Sequence, residues 1–338
     1  MKLNWCSVQG LLKVLPWFSV LIALVFVLFL GAPTTALAQG PLAIYNSIPS
    51  PLPVDSTSAG AEAVSFAELG DGLNLTASAG TIGQVTVVLN SWACQSGGVY
   101  AGNCVSGPGA SFEQPITINI YSVTYNGDVP GPLKKLGSIT KTFAIPYRPT
   151  SNPTLCPASA ATFGLVRWYD SADKSCYYAI NQAVTVDFTP DKIAIPVGSY
   201  AAPALGYPVT TTVAGARIIV TVAYNTSDAG PEPLGDNTAC HSTTEGCPYD
   251  SLNIAVAGVG PTGLANGVGA FLDWNGIFVN YTNPANSCSG EIATGELLLD
   301  TSATTPCWSG LHPLIEVQAT PGTVPPWSWW VGPIRRKH

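Results

Sequence analysis

Apolar and polar residues alternate along several stretches of this chain. The clearest stretch covers residues 116–121, where isoleucines at every second position are separated by threonine and asparagine and followed by tyrosine. The same period of two recurs at residues 82–89, 184–189, 218–224, 252–256, 277–281, 297–299 and 314–317. An apolar face with a period of two is typical of a half-buried antiparallel strand, and no stretch carries the apolar stripe of an amphipathic helix. The pattern therefore predicts an all-β protein, an antiparallel and jelly-roll-like β-sandwich with little helix.

The first residues form a different pattern. Lys2 and Lys13 come before an uncharged and mostly apolar run at residues 14–32. Small residues follow at the Ala-Leu-Ala motif of residues 36–38. This order predicts a signal peptide over residues 1–38, cleaved near Ala38, and a secreted, extracellular mature protein. A retained anchor is the alternative, because about 20 apolar residues span a bilayer. Pro16 and the cleavage motif favour removal, and no later stretch is apolar enough to span a membrane.

The cysteines favour the same compartment. Apart from Cys6, they stand in neighbouring pairs that flank loops rich in Gly, Pro or Ser, which is typical of a disulfide framework in an exported protein. Other connectivities stay open, but nearest-neighbour pairing predicts Cys94–Cys104, Cys156–Cys176, Cys240–Cys247 and Cys288–Cys307. A zinc site is the alternative. Zinc prefers closer cysteine spacing with a second close pair or histidines, so we expect no metal.

Charge narrows the range of partners. The chain has 13 basic and 20 acidic residues, a net charge of −7, and only 10% of its residues are charged. Removal of the signal peptide would take two lysines away and make the protein more acidic still. An acidic surface repels nucleic acid and anionic lipid, so we expect neither as a partner of the main body.

Proline-rich stretches suggest the boundaries. Residues 39–55 predict an extended lead-in, and residues 56–320 predict the β-sandwich. Within the sandwich, residues 146–182 hold several prolines and one predicted disulfide. We interpret them as a long inserted loop, with a domain joint as the alternative. Residues 321–338 form a basic tail rich in tryptophan.

Several predicted strands and turns occur in an order that resembles a known class of modules. The runs are Ile82–Leu89, Ile116–Val123, the turn Pro130-Gly131-Pro132-Leu133, Val184–Phe188 and Ile218–Tyr224. Together they resemble secreted bacterial β-sandwich modules of the "choice-of-anchor" kind, over about residues 45 to 282. Shorter segments at residues 91–94, 168–170 and 247–253 resemble exported bacterial proteins of unassigned role. The resemblance implies a surface or extracellular module and brings no catalytic residues with it.

Motifs for nucleotide binding and catalysis are weak. Residues 258–263 match G-x-G-x-x-G, but Pro261 and the following glycines do not open the helix that a dinucleotide site requires. We therefore expect no nucleotide and no cofactor. Neither G-x-S-x-G nor H-E-x-x-H occurs. A catalytic triad would need His241 or His312, and nothing beside either histidine in the sequence indicates one.

Aromatic residues grouped with amides and acids give the functional lead. Sugars are bound by stacking on flat rings and by hydrogen bonds from Asn, Asp and backbone groups. The predicted ligand-binding residues are Trp92, Trp168, Tyr169, Asp170, Tyr224, Asn225, Asp250 and Trp274. The other interpretation is that these rings pack beneath loops as small satellite cores.

We therefore predict a secreted, non-catalytic surface or matrix module that binds carbohydrate or a cell-envelope polymer. One alternative is a polysaccharide hydrolase or lyase, which would need a pair of carboxylates. The candidate acids for it are Asp170, Asp187, Asp250, Asp273 and Glu316. A purely structural extracellular protein is the other alternative.

Overall fold

The alternating stretches form strands in the computed structural model of the protein. The structure describes residues 41–76, 80–99, 101–123, 125–126, 129–130, 133–162, 164–196, 216–224, 252–258, 268–273, 276–283, 285, 287, 295–301, 308 and 310–321. All of them belong to one unit, Gly40–His338. The longest α-helix among them is α1 (Ala61–Val64). Two short 3₁₀ turns, at Ala160–Thr162 and Thr189–Asp191, are the other helical segments within these residues.

Eighteen strands account for most of the described chain. In order they are β1 (Leu42–Asn46), β2 (Ser58–Gly60), β3 (Phe66–Asn74), β4 (Gly80–Ser91), β5 (Ser111–Ser122), β6 (Tyr125–Asn126), β7 (Val129–Pro130), β8 (Lys134–Pro146), β9 (Trp168–Asp170), β10 (Ser175–Tyr177), β11 (Ile180–Asp187), β12 (Arg217–Ala223), β13 (Leu252–Gly258), β14 (Ala270–Phe271), β15 (Gly276–Tyr281), β16 (Leu298–Thr301), β17 (Leu311–Pro313) and β18 (Ile315–Pro321).

The strands build two main sheets, and every strand pair is antiparallel. In sheet A, β4 pairs with β11 and with β18 and β13, while β1 lies beside β18 and β2 and β17 lie beside β13. Sheet B runs in the order β16-β15-β3-β12-β5-β8, and β14 also pairs with β3. Two small pairs, β6–β7 and β9–β10, stand apart from these sheets.

The two sheets share one hydrophobic core. The alternating isoleucines of β5 and the alternating aliphatic residues of β4, β12 and β18 are all almost completely buried in the same cluster. Residues from both sheets meet there because each strand turns its apolar set to the same side. The predicted all-β, antiparallel sandwich with little helix is therefore confirmed.

A bulge in β4 explains an irregularity in its sequence pattern. Val85 pairs with Val317, whereas Ile82 pairs with Ala319, so two residues of β4 lie opposite Gln318 alone. An extra residue of this kind shifts the alternation by one position. Ile82 and Val85 consequently both reach the core, although three positions separate them.

The predicted lead-in is part of the sandwich. Its first residues form β1, which pairs with β18. The following residues cross the outer face of sheet A, where Ile48 and Leu52 pack against a buried cluster of Val88, Ala255 and Leu314. The segment therefore contributes a strand and covers one face of a sheet.

Two of the predicted disulfides are present. Cys94–Cys104 and Cys156–Cys176 have Cα–Cα distances of 5.4 and 5.7 Å, within the range that a bridge requires. The second bridge lies in the predicted inserted loop, which also contains β9 and β10. The four cysteines of the other two predicted bridges, the predicted signal peptide with Cys6, and nearly all of the tail lie outside the described residues.

One edge of sheet B is formed by β8, which pairs with β5 along its length. Lys141 stands opposite buried Ile116, so it lies on the core side of the sheet, yet it is exposed. Its ammonium lies 5.1 Å from the centre of the Phe143 ring. The described part of the chain contains no helix long and apolar enough to cross a membrane.

Two adjacent strands of sheet B approach unusually closely at Gly70. A methyl group at this position would lie 2.1 Å from the carbonyl oxygen of Val220 and 2.5 Å from the Cα of Thr221. Both atoms belong to the backbone of β12, so neither moves away without disturbing the sheet. Only glycine therefore fits at this point of β3.

Gly70→Ala is expected to destabilise the protein by about 3 kcal/mol or more, because overpacking against backbone is not relieved by side-chain movement. Chemical denaturation measures the change. Gly98→Ala is the matched control, since the nearest atom to an added methyl group there is 3.9 Å away. Equal stability of the two variants would contradict the close approach.

The two bridges are expected to stabilise the fold independently. Replacing both cysteines of either pair by serine should lower the free energy of unfolding by about 2–4 kcal/mol, because the unfolded chain loses a closed loop. Mass spectrometry of an unreduced digest identifies the linkages directly. Free thiols at Cys94, Cys104, Cys156 or Cys176 in the purified protein would refute this connectivity.

Candidate functional site

A group of three side chains lies where β4 leaves sheet A. The ring of Trp92 stacks on that of Tyr178, with ring centres 5.5 Å apart and planes 18° from parallel. The guanidinium carbon of Arg167 lies 5.5 Å from the centre of the Tyr178 ring. We call these three residues the Trp92 cluster, and all three are half-buried.

The disulfides position this cluster. Cys94 comes two residues after Trp92, and Cys176 comes two residues before Tyr178. Trp92 also packs against the apolar cluster that contains the Cys94–Cys104 bridge. Each ring is thus attached to a short segment with a covalent restraint, which limits its freedom before any ligand binds.

A network of hydrogen bonds connects the two rings to polar residues of sheet A and of the segment before β2. The indole nitrogen of Trp92 donates to Oδ1 of Asn90 at 2.6 Å, and Nδ2 of Asn90 donates to Asp55 at 2.9 Å and to Asn181 at 2.8 Å. The other carboxylate oxygen of Asp55 accepts the backbone N–H of Tyr178 at 2.9 Å. One carboxylate therefore connects both stacked residues to the outer face of sheet A.

Arg148 is completely buried close to this network. Its Nη2 donates to Ser151 and to the carbonyl oxygen of Val166, both at 3.3 Å. Its Nε and Nη1 have no hydrogen-bond partner among the described residues. Burial lowers the pKa of Arg148 to about 10, and the negative charge of Asp55 opposes this shift. A positive charge is thus held beside the cluster in an otherwise acidic protein.

Three of the predicted site residues lie on β9, next to Arg167 in sequence. Trp168 is only 6% exposed, and its indole nitrogen donates to the carbonyl oxygen of Ala179 at 3.0 Å. Tyr169 and Asp170 are half-buried. Asp170 accepts the backbone N–H of Ala172 at 2.8 Å, which stabilises the turn after β9. Trp168 therefore has a packing role, while Tyr169 and Asp170 retain exposed surface.

Tyr224 is not brought to this region by any described contact. It lies in the shared core, edge-on to Phe66, and its hydroxyl donates to the carbonyl oxygen of Leu252 at 2.5 Å. Burial raises the pKa of this hydroxyl far above its usual range. Its position suits packing at the end of β12. The predicted site residues Asn225, Asp250 and Trp274 lie outside the described residues.

The candidate acids of the hydrolase alternative occupy separate places. Asp187 is exposed, and its hydrogen bonds to Thr189 lower its pKa. Glu316 on β18 accepts hydrogen bonds from Asn46 of β1 and from Gln318 of its own strand. Asp273 is only 7% exposed. Within the described ranges, no three His, Cys, Asp or Glu side chains are grouped closely enough to hold a metal ion.

The structure also reveals an acid–histidine pair. Asp71 on β3 and His312 on β17 form a 2.8 Å contact between Oδ2 and Nδ1, and both side chains are almost fully buried. The ring of Phe271 stacks on His312 with centres 4.1 Å apart. Burial raises the pKa of Asp71, and its interaction with His312 opposes the rise. Because neither group is exposed to solvent, this pair has a structural role.

A second polar group lies on the outer face of sheet B and was not predicted. Glu68, at 9% exposure, accepts three hydrogen bonds at Oε1. The donors are Asn119 at 2.7 Å, Tyr121 at 2.8 Å and the hydroxyl of Thr221. Asn119 in turn accepts from Ser138 at 2.6 Å and from Lys135 at 3.1 Å. We call Glu68, Lys135, Asn119, Tyr121, Ser138 and Thr221 the Glu68 cluster.

The sequence held one signal for each of these acids. In β3 the apolar residues Leu69 and Leu73 mark the core face, and Asp71 stands midway between them. The period of two therefore places Asp71 inside and Glu68 outside. What the sequence did not contain was the identity of their partners, which come from distant strands.

No family model, curated protein or solved structure matches the chain. The resemblance to choice-of-anchor modules therefore stays a prediction.

Replacing His312 by leucine should destabilise the protein by about 3–5 kcal/mol, because it leaves the buried carboxylate of Asp71 without its ring donor. The double variant Asp71→Leu/His312→Leu removes both polar partners and should recover part of this loss. Denaturation curves of the two variants give the comparison. A double variant less stable than His312→Leu would contradict the pairing.

Proposed function

We propose that this protein is a secreted, non-catalytic surface or matrix module that binds carbohydrate or a cell-envelope polymer at the Trp92 cluster. The observation that carries the proposal is the stacked pair Trp92–Tyr178, half-buried and fixed between two disulfide-bridged segments. Aromatic side chains of this kind offer flat apolar area to the faces of sugar rings at a low entropy cost.

Polar groups suited to hydroxyl recognition lie in the same short segment as Arg167. Arg167 lies over the Tyr178 ring, and Asp170 and Tyr169 follow it on β9 with part of their surface exposed. Arg167 and Asp170 supply a cationic donor and an anionic acceptor, and the tyrosine hydroxyl acts as either. This combination of a ring surface with a few polar groups is the usual composition of a small-ligand site.

An extracellular location agrees with the covalent structure. Disulfides persist in oxidising compartments and are rare in the cytosol. The two bridges therefore indicate an oxidising, extracellular-type environment. Secretion through the predicted signal peptide and the role of a surface module, as in the choice-of-anchor proteins, are parts of the proposal.

A glycan array, followed by titration calorimetry with the best ligand, tests the binding proposal. Trp92→Ala should weaken binding about tenfold or more, since one stacked ring contributes about 1.5 kcal/mol. Trp92→Phe keeps a ring but loses the donor to Asn90, so it should retain most of the affinity. Phe143→Ala removes a half-buried ring of sheet B and is the matched control.

The same samples separate the competing functions. Binding that is insensitive to Trp92→Ala would refute the assignment of the site. Reducing ends that accumulate when the protein is incubated with bound polysaccharides would establish the hydrolase alternative instead. Absence of binding across the array would favour a purely structural role.

A further inference from the structure

The Glu68 cluster is separate from the Trp92 cluster, because it lies on the outer face of sheet B. Two strands supply the donors to Glu68, which itself lies on β3: Asn119 and Tyr121 come from β5, and Thr221 comes from β12. The side chain of Glu68 reaches β5 across β12, at the place where Thr221 of β12 pairs with Gly70 of β3. A side chain at Gly70 would collide with Thr221, so the same glycine that brings the strands together also keeps this path clear.

The two oxygens of Glu68 are in different environments. All three hydrogen bonds converge on Oε1. No described residue donates to Oε2. This oxygen is not fully buried, since it is absent from the buried polar atoms that have no partner. Glu68 is 9% exposed. Its Oε2 is therefore an acceptor that a ligand can reach.

The negative charge of Glu68 is not neutralised by the described protein. Asn119, Tyr121 and Thr221 are neutral donors, and no described Lys or Arg forms an ion pair with Glu68. Lys135 is on the same face, but its ammonium donates to Asn119 and lies 5.2 Å from the centre of the Tyr121 ring. A mostly buried carboxylate without a cationic partner is unfavourable, and it gains most from a charge-assisted hydrogen bond.

We propose that Glu68 Oε2 binds an organic ammonium group, such as the amine of an amino sugar, at the outer face of sheet B. A divalent metal is a poor fit, because it prefers several charged oxygen ligands and no group of three or more His, Cys, Asp or Glu side chains that could hold a metal occurs in the described part of the chain. An ammonium needs a single carboxylate and carries its own donors. The exposed side chains of Lys135 and Ser138 form the rim of this site.

Titration calorimetry of the full protein with a glucosamine tetramer tests the proposal, at a pH where the amines are protonated. The N-acetylglucosamine tetramer is the matched probe, since it has the same sugar backbone but each amine is acetylated and therefore uncharged. The wild-type protein should bind the ammonium form about tenfold or more tightly, as expected for a charge-assisted hydrogen bond. Equal affinity for the two probes would overturn the proposal.

Glu68→Gln preserves the shape of the side chain and an acceptor at Oε1, and it should abolish the preference for the ammonium form. Glu113→Gln removes an exposed carboxylate from β5 and should leave the preference unchanged. Loss of the preference in both variants, or in neither, would refute the role of Glu68.

Two further variants keep the test decisive if Glu68→Gln does not fold. Lys135→Gln removes a neighbouring positive charge and should tighten binding of the ammonium probe severalfold; weaker binding would contradict the site. Trp92→Ala should not alter the ammonium preference. A preference lost in Trp92→Ala would place the ammonium at the Trp92 cluster and overturn the assignment to sheet B.

Discussion

The contact between Asp71 and His312 is the one polar interaction on which the sandwich depends most directly. Asp71 belongs to sheet B and His312 to sheet A, so this 2.8 Å contact joins the sheets inside their shared core. Burial of apolar side chains is not directional, whereas a buried carboxylate requires its donor at a defined place. We infer that the pair selects one relative position of the two sheets.

The strands that could be predicted are those in which one face is purely apolar. Residues 116–121 and 82–89 belong to this group, and even the bulge in β4 left its apolar residues recognisable. The apolar face is interrupted in β3, where Asp71 stands between the core residues Leu69 and Leu73, and in β8, whose lysines suit an edge. β1 was missed because it is short and pairs with β18, which lies far away in the sequence.

The candidate sites also divide into residues that a local sequence pattern marks and residues that it does not. Trp92, Trp168 and Tyr169 were recognisable because they lie at the ends of predicted strands or within a predicted disulfide loop, and two of the predicted bridges are present in these segments. Arg148 and Glu68 had no such marker. Their properties come from burial and from partners on other strands, which no local pattern contains. The asparagines at positions 90 and 181 illustrate the point, since they meet only because β4 and β11 pair in that register.

The placement of Lys141 has a consequence for behaviour at high concentration. Among the described strands, β8 is the last of sheet B. The outer side of such an edge strand is a template on which another extended segment can pair. A strand that paired with β8 would place its apolar side chains against the ammonium of Lys141, which lies on the core side of the sheet opposite Ile116. Strand-by-strand stacking along this edge is therefore disfavoured, which limits aggregation of the protein through sheet B at high concentration.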